Sequence, residues 1–169
     1  MKVKEASGDV GINEKVTRSF EESLIVDHPL DEVFPFFANA ENLEKLTPDW
    51  LKFSIDTPTP IEMKAGALID YKIRFRGIPM KWRTEIKVWE PPFRFVDTQL
   101  KGPYSLWHHE HLFEEVDGGT RITDRIHYRV LGGKLIDSLI VRRDVEAIFA
   151  FRKKVMGDLF VVRPGAQAG

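Results

Sequence analysis

Apolar and polar residues alternate along most of this chain with the period of two that a half-buried β-strand requires. Thr17–Asp27 opens the pattern, with Phe20, Glu22, Leu24 and Val26 on one face. His28-Pro29-Leu30-Asp31 breaks it. Asp31–Asn39 reads as a short helix with Val33, Phe34, Phe36 and Phe37 on its apolar side and Pro35 in its first turn, where a missing N–H is tolerated. Ala40–Leu46 reads as a second short helical piece, ended by Thr47-Pro48. From Trp50 the period returns to two. Leu51, Phe53 and Ile55 mark the next strand, which stops at Thr57-Pro58-Thr59-Pro60. Ile69, Tyr71, Ile73 and Phe75 mark another, followed by a turn at Gly77-Ile78-Pro79. Met80, Trp82, Thr84, Ile86 and Val88 come next, then Phe93, Phe95, Asp97 and Gln99 after Pro91-Pro92. Tyr104–Glu115 puts Trp107, His109, His111 and Phe113 on one face. Asp117-Gly118-Gly119-Thr120 is a hairpin signal. In the last strand, Ile122, Asp124, Ile126 and Tyr128 face one way and Arg121, Thr123, Arg125, His127 and Arg129 face water.

Beyond Gly132-Gly133 the period becomes helical. Over Lys134–Phe160, residues Val141, Val145, Ile148, Phe149, Val155, Met156 and Leu159 form one side, extended at its start by Ile136 and Ile140. At 1.5 Å per residue such a helix spans roughly 40 Å. Short links make sequential strands pair as antiparallel hairpins. The expected fold class is therefore α+β, a seven-stranded antiparallel sheet curled around one long C-terminal helix, with two short helices between strands one and two. A curled sheet gripping a single helix leaves a hollow between them. The inward positions Phe53, Tyr71, Phe75, Trp82, Phe93, Phe95, Trp107 and Phe113 either fill it or line it.

Composition narrows the options. A chain of 169 residues with 43% apolar and 30% charged content suits one globular domain. Residues 16–160 are read as that domain, residues 1–15 as a flexible arm and 161–169 as a flexible tail. The formal charge of −1 carries no nucleic-acid footprint, and no apolar run reaches the ~20 residues of a membrane span. Met1–Asn13 lacks the apolar core of a signal peptide, so a cytoplasmic protein is expected. The absence of cysteine removes disulfides, thiol nucleophiles and thiolate metal sites. No phosphate loop, G-x-S-x-G elbow or H-E-x-x-H motif occurs, which argues against nucleotide-dependent, serine-hydrolase and zincin chemistry. The outward cations Lys72, Arg74, Arg76, Lys81, Arg83 and Lys87 are offset by Glu85, Glu90 and the overall balance.

The candidate chemistry concentrates in the sixth of these strands. His109 and His111 share a face between two aromatics, where a packing face would carry Val, Ile or Leu. They are open to three readings: polar groups orienting a ligand, buried histidines satisfied by internal hydrogen bonds, or acid–base groups or metal ligands. A metal needs a third ligand, for which Asp97 or Asp124 is available. Both carboxylates sit on apolar faces, and burial without a partner is costly. Counted outward from Gly118-Gly119, Asp124 falls opposite Glu114, Phe113 or Leu112, a diagonal step from His111. Arg152 interrupts the apolar side of the long helix between Phe149 and Val155, where it either snorkels to the surface or holds a ligand carboxylate or phosphate.

Several stretches also carry a family resemblance: Leu46-Thr47-Pro48 with Trp50-Leu51-Lys52-Phe53, Ile69-Asp70-Tyr71, Trp82-Arg83-Thr84, Trp89-Glu90-Pro91-Pro92, Phe95-Val96-Asp97, Gly102-Pro103-Tyr104, the Trp107/His109/His111/Phe113 alternation, and Gly119-Thr120 followed by Asp124 and Tyr128. Over roughly Lys15–Leu159 the chain resembles the helix-grip fold of the SRPBCC superfamily, which includes START lipid-transfer domains, the birch-pollen allergen class and polyketide cyclase/dehydrase-like proteins. It is most similar there to a group of small bacterial proteins. The resemblance implies an apolar or aromatic ligand, such as a lipid, isoprenoid or polyketide-like compound, held between sheet and C-terminal helix. No cofactor is expected, and because two imidazoles without a demonstrated third ligand make a weak site, no metal is expected either. The cavity residues expected are the inward aromatics other than Phe93, with Ile73, Thr84, Asp97, His109, His111, Asp124, Tyr128, Val145, Ile148, Phe149 and Arg152. Two alternatives stand beside ligand binding: a cyclase or hydratase using His109 or His111 with Asp124, and a protein-interaction domain with a filled core. The oligomeric state stays open.

Overall fold

Two tight turns set the registers of the sheet. Arg76 and Gly77 adopt φ of 51° and 82°, the left-handed pair that a two-residue hairpin turn requires, and they join β3 (Leu68–Phe75) to β4 (Ile78–Glu90). Asp117 and Gly118 join β6 (Tyr104–Val116) to β7 (Gly119–Val130). The structure, a computed structural model, describes residues 17–130 and 141–164. The arm expected over residues 1–15, Gly132-Gly133, the helical positions Ile136 and Ile140, and residues 165–169 lie outside the described residues.

The remaining elements are β1 (Arg18–Val26), α1 (Leu30–Ala38), 3-10 turns at Ala40–Leu43 and Asp49–Leu51, β2 (Ser54–Ile55), β5 (Arg94–Lys101) and α2 (Arg142–Leu159). The seven strands form one antiparallel sheet in the order β1-β7-β6-β5-β4-β3-β2. Irregularities in β4 at Arg83/Thr84 and Ile86/Val88, and in β6 at Tyr104/Leu106, are bulges of the kind that bend strands. The α+β helix-grip architecture is as the periodicity predicts.

One face of the sheet is covered from two ends. At one end α1 inserts Phe34 and Phe37 edge-on against Phe113, with ring centroids 5.3 and 5.0 Å apart. At the other, Val145 and Phe149 of α2 pack on Ile126, Tyr128 and Phe20. Arg76, on the β3–β4 turn, donates from Nε and Nη2 to the Asp144 carboxylate and ties the first turn of α2 to the sheet.

Several expectations are corrected. β2 is only two residues long, because Leu51 ends a 3-10 turn and Lys52 takes a left-handed φ of 45°. Phe93 lies in the turn before β5 and is 56% exposed, not inward. Pro35 falls in the second turn of α1, because the helix starts at Leu30. The β3–β4 turn is Arg76-Gly77, not Gly77-Ile78-Pro79. The outer face of β7 is half-buried under polar ladders: Arg125 bridges Glu21 and Glu110, and Ser23 shares a hydrogen bond with Thr123. Among the outward cations, Lys72, Arg76, Arg83 and Lys87 are paired with Asp56, Asp144, Asp70 and Glu85. The first tail residues lie against the end of β1. Asp27 N–H donates to the Val161 carbonyl, Arg163 N–H donates to the Ile25 carbonyl, and Arg163 pairs with Asp27.

Two glycines test this packing. A Cβ at Gly119 would collide with the Val26 carbonyl, where β1 and β7 approach, whereas Gly157 is exposed in α2 with nothing close by. Gly119→Ala is expected to cost about 1–3 kcal/mol in chemical denaturation. Gly157→Ala is expected to gain about 0.4–1 kcal/mol by restricting the unfolded chain.

Candidate functional site

Strand pairing assembles a charged cluster on the covered face. β6 carries His109 and His111 inward. β5 sets Asp97 opposite His109 and Phe95 opposite His111, while β7 sets Asp124 opposite His111. Across the interior, α2 contributes Arg152. His109 Nε2 lies 2.8 Å from Asp124 Oδ1, and His111 Nε2 lies 2.9 Å from Asp97 Oδ2. The two imidazole centroids lie 3.8 Å apart with the rings tilted by 38°, and Phe95 stacks on His111 at 4.0 Å. His111 Nδ1 lies 2.9 Å from Asp124 Oδ1 but out of line for a hydrogen bond, so this nitrogen has no well-aimed partner. Both rings are buried, at 4% and 5% exposure.

Burial works against every charge here, and the neighbours decide which survive. For His109, burial and the adjacent His111 prevail, and its pKa falls to about 4. For His111, burial is outweighed by Asp124 and Asp97, and its pKa rises. Burial would raise both aspartates, yet Asp97 is lowered by His111 and His109, and Asp124 is held well below the usual range by Arg152 and the two histidines. At neutral pH both carboxylates are therefore ionised and His109 is neutral, while Asp124 and Asp97 favour the charged form of His111. Glu22 of β1 adjoins the cluster opposite Asp124; burial raises its carboxyl, and Lys153 lies 3.6 Å away.

Asp97, His109 and His111 each offer a ligand atom within 4.8 Å of the others, the donor number of a zinc-type site. These atoms are already used between imidazole and carboxylate, and Arg152 places a positive charge 3.8 Å from Asp124. The set fits mutual charge pairing better than it fits a cation.

Beside the cluster a cavity of ≈ 170 Å³ opens between α1, the 3-10 turns, β3 to β6 and α2. A family model described as polyketide cyclase / dehydrase and lipid transport matches residues 26–152, a span covering β2 to β7, the cluster and the cavity. The chain belongs to that family. Solved structures share the fold at low identity. Protein Ms6760 from Mycobacterium smegmatis is 16% identical with a TM-score of 0.61, over 83% of this chain and 89% of that one. Ginseng major latex-like protein 151 from Panax ginseng is 11% identical with a TM-score of 0.61, over 86% and 99%. The di-domain ARO/CYC StfQ from the steffimycin biosynthetic pathway is 16% identical with a TM-score of 0.64, over 83% of this chain and 50% of that one. A comparison with curated protein sequences finds no match. No described helix is long and apolar enough to cross a membrane.

In this polyketide cyclase/dehydrase family member, the cavity wall includes Phe53, Tyr71, Ile73, Phe75, Trp82, Thr84, Phe95, Asp97, Trp107, His109, His111, Ile148, Phe149 and Arg152. Four residues expected there lie off the wall. Phe113 is wedged against Phe34 and Phe37, Tyr128 and Val145 pack between β7 and α2, and Asp124 lies behind the histidines. Asp124 stands directly opposite His111, further along β6 than expected, because the hairpin turn is Asp117-Gly118 rather than Gly118-Gly119. Sequence reasoning missed the wall from the helical segment, including Phe36, Phe37, Leu43 and Leu46, whose apolar positions read as helix packing. It also missed a polar group on β3 and β4, where Thr84 Oγ1 accepts from Trp82 Nε1 and shares a hydrogen bond with Tyr71 Oη, both at 3.0 Å. The inward Tyr71, Trp82 and Thr84 were legible, but their meeting depends on the Tyr71↔Trp82 register.

The cluster sets a pH profile for stability. His109 stays neutral down to about 4 when folded, but in the unfolded chain it takes a proton near ~6.5. Stability therefore falls as pH drops between these values, by at most about 1.4 kcal/mol per pH unit. The raised His111 acts oppositely: its contribution is present below ~6.5 and lost as pH rises through its folded value. The lowered aspartates contribute above ~3.9 and are lost below it. Urea midpoints at pH 7, 6 and 5 are expected to decline in the wild type and to decline less in His109→Gln. Asp124→Asn, which leaves buried positive charge uncompensated, is expected to cost about 3–5 kcal/mol at pH 7.

Proposed function

We propose that residues 16–160 act as one cytoplasmic ligand-binding domain that holds a compact aromatic small molecule between the sheet and α2. The observation that carries this reading is the ≈ 170 Å³ cavity walled mainly by aromatic and aliphatic side chains, with a few polar groups among them. An apolar cavity of about 150 Å³ accommodates benzene. Pockets for larger ligands run to about 300–1,000 Å³. The size therefore favours one or two fused rings over a long acyl chain or an extended polyketide. An open cavity also weighs against the packed interaction domain. The Thr84, Tyr71 and Trp82 group and the His109, His111 and Arg152 group orient such a ligand at two places in the wall.

One observation favours an enzyme as the second reading. His109 and His111 lie against each other with their proton affinities driven apart, and such pairs supply a base and an acid to one reaction. A cyclase or dehydratase would use them in this way.

Trp82 and Trp107 lie in the wall and report on occupancy. Native mass spectrometry of protein from its own host is expected to show a retained aromatic molecule, and 2-naphthol is expected to quench tryptophan fluorescence saturably. Thr84→Leu should weaken quenching at least tenfold while costing about 1–3 kcal/mol of stability through overpacking. Unchanged quenching in that variant would remove the cavity as the binding site. His109→Ala should lower affinity about three- to tenfold, the value of one hydrogen bond. In the enzyme reading it would instead lower turnover of the retained compound about a hundred- to ten-thousandfold, with binding preserved.

A further inference from the structure

Arg152 stands out in the cavity wall. It is the only lysine or arginine there among the described residues, and it is 9% exposed. Its guanidinium makes no hydrogen bond to any described residue; the nearest carboxylate oxygen, Asp124 Oδ1, is 3.8 Å away and already engaged by His109 Nε2 at 2.8 Å. Phe149 packs against the guanidinium, with its ring centroid 5.0 Å from the Arg152 central carbon, which fixes the plane without using a donor. A guanidinium carries five N–H donors in a fixed fork, and leaving them unmade in a buried site is costly.

We infer that Arg152 is a receptor for a carboxylate, and that the ligand of this cavity is an aromatic carboxylic acid bound as its anion. This rests on the small-molecule reading above and names the class of molecule. The guanidinium fork matches a carboxylate edge in bidentate geometry. Asp124 is engaged by His109 and Asp97 by His111, and Glu22 lies 3.6 Å from Lys153, so each neighbouring carboxylate has a partner other than Arg152. A phosphate dianion would face two aspartates with a single arginine, so a monoanion is the better match. With the carboxylate at Arg152, the ring system lies along Phe95, Trp107 and Trp82 toward Thr84.

The test uses the intact chain and three probes of one size: 2-naphthoate, 2-naphthamide and naphthalene, followed by tryptophan quenching and calorimetry at pH 7. The naphthoate is expected to bind at least about tenfold tighter than the amide, as charge-assisted hydrogen bonds exceed neutral ones. In Arg152→Gln the ratio of naphthoate to amide affinity is expected to collapse to within about threefold of one, and in Arg152→Lys to fall between the two. If the amide and naphthalene bind the wild type and the naphthoate gains nothing, the carboxylate inference is overturned while cavity binding stands. That comparison needs no variant, so it holds even if Arg152→Gln fails to fold. A folded Arg152→Gln that keeps the full preference would place the anion elsewhere and also overturn it. If none of the three probes binds, the small-molecule reading fails and the inference fails with it.

Discussion

The interior of this protein is organised around the need to neutralise two buried carboxylates. Asp97 and Asp124 come from strands on either side of β6, and nothing about an apolar core favours them there. They persist because β6 interposes two imidazoles, one hydrogen-bonded to each carboxylate, and because α2 delivers a guanidinium from above. Each component is costly alone and tolerable together. The cluster also couples the helix to the sheet: Arg152 meets Asp124 only if α2 lies across β7 in one position. A second tether, Arg76 to Asp144, fixes the same helix at its start.

This constraint shapes the cavity. Had the inner face carried only aliphatic residues, α1 and α2 would be free to collapse onto it. Instead the polar cluster occupies the middle of the face, and bulky rings stand around it. Phe95 lies flat on His111, and Phe149 stands edge-on to His109 at 5.8 Å. Trp82 stacks on Tyr71 and meets Trp107 edge-on, at 5.7 and 5.6 Å. Rigid rings that brace one another do not readily fill the space between them, and an open volume remains against α1 and α2. Family membership agrees with this geometry, since the matched region spans both the cluster and the cavity.

The sequence by itself determined the order of elements, the inward face of most of each long strand and the amphipathic C-terminal helix, because these depend on periodicity and on turn residues that act locally; in β4 the irregularity after Ile86 turns Trp89 rather than Val88 onto Phe34 and Phe95. The sequence also singled out His109, His111, Asp97, Asp124 and Arg152 as out of place on apolar faces. Tertiary structure alone decided how they combine. A turn of Asp117-Gly118 rather than Gly118-Gly119 puts Asp124 opposite His111. Pairing of β5 with β6 makes Asp97 a partner of His111, a relation that no spacing along one strand reveals. The exposed Phe93 and the buried Phe113 have the same alternating context in sequence, yet one ends in a turn and the other beneath α1. Which imidazole keeps its proton, and whether Arg152 reaches a surface or a cavity, depends on distances of a few ångströms between segments far apart in the chain.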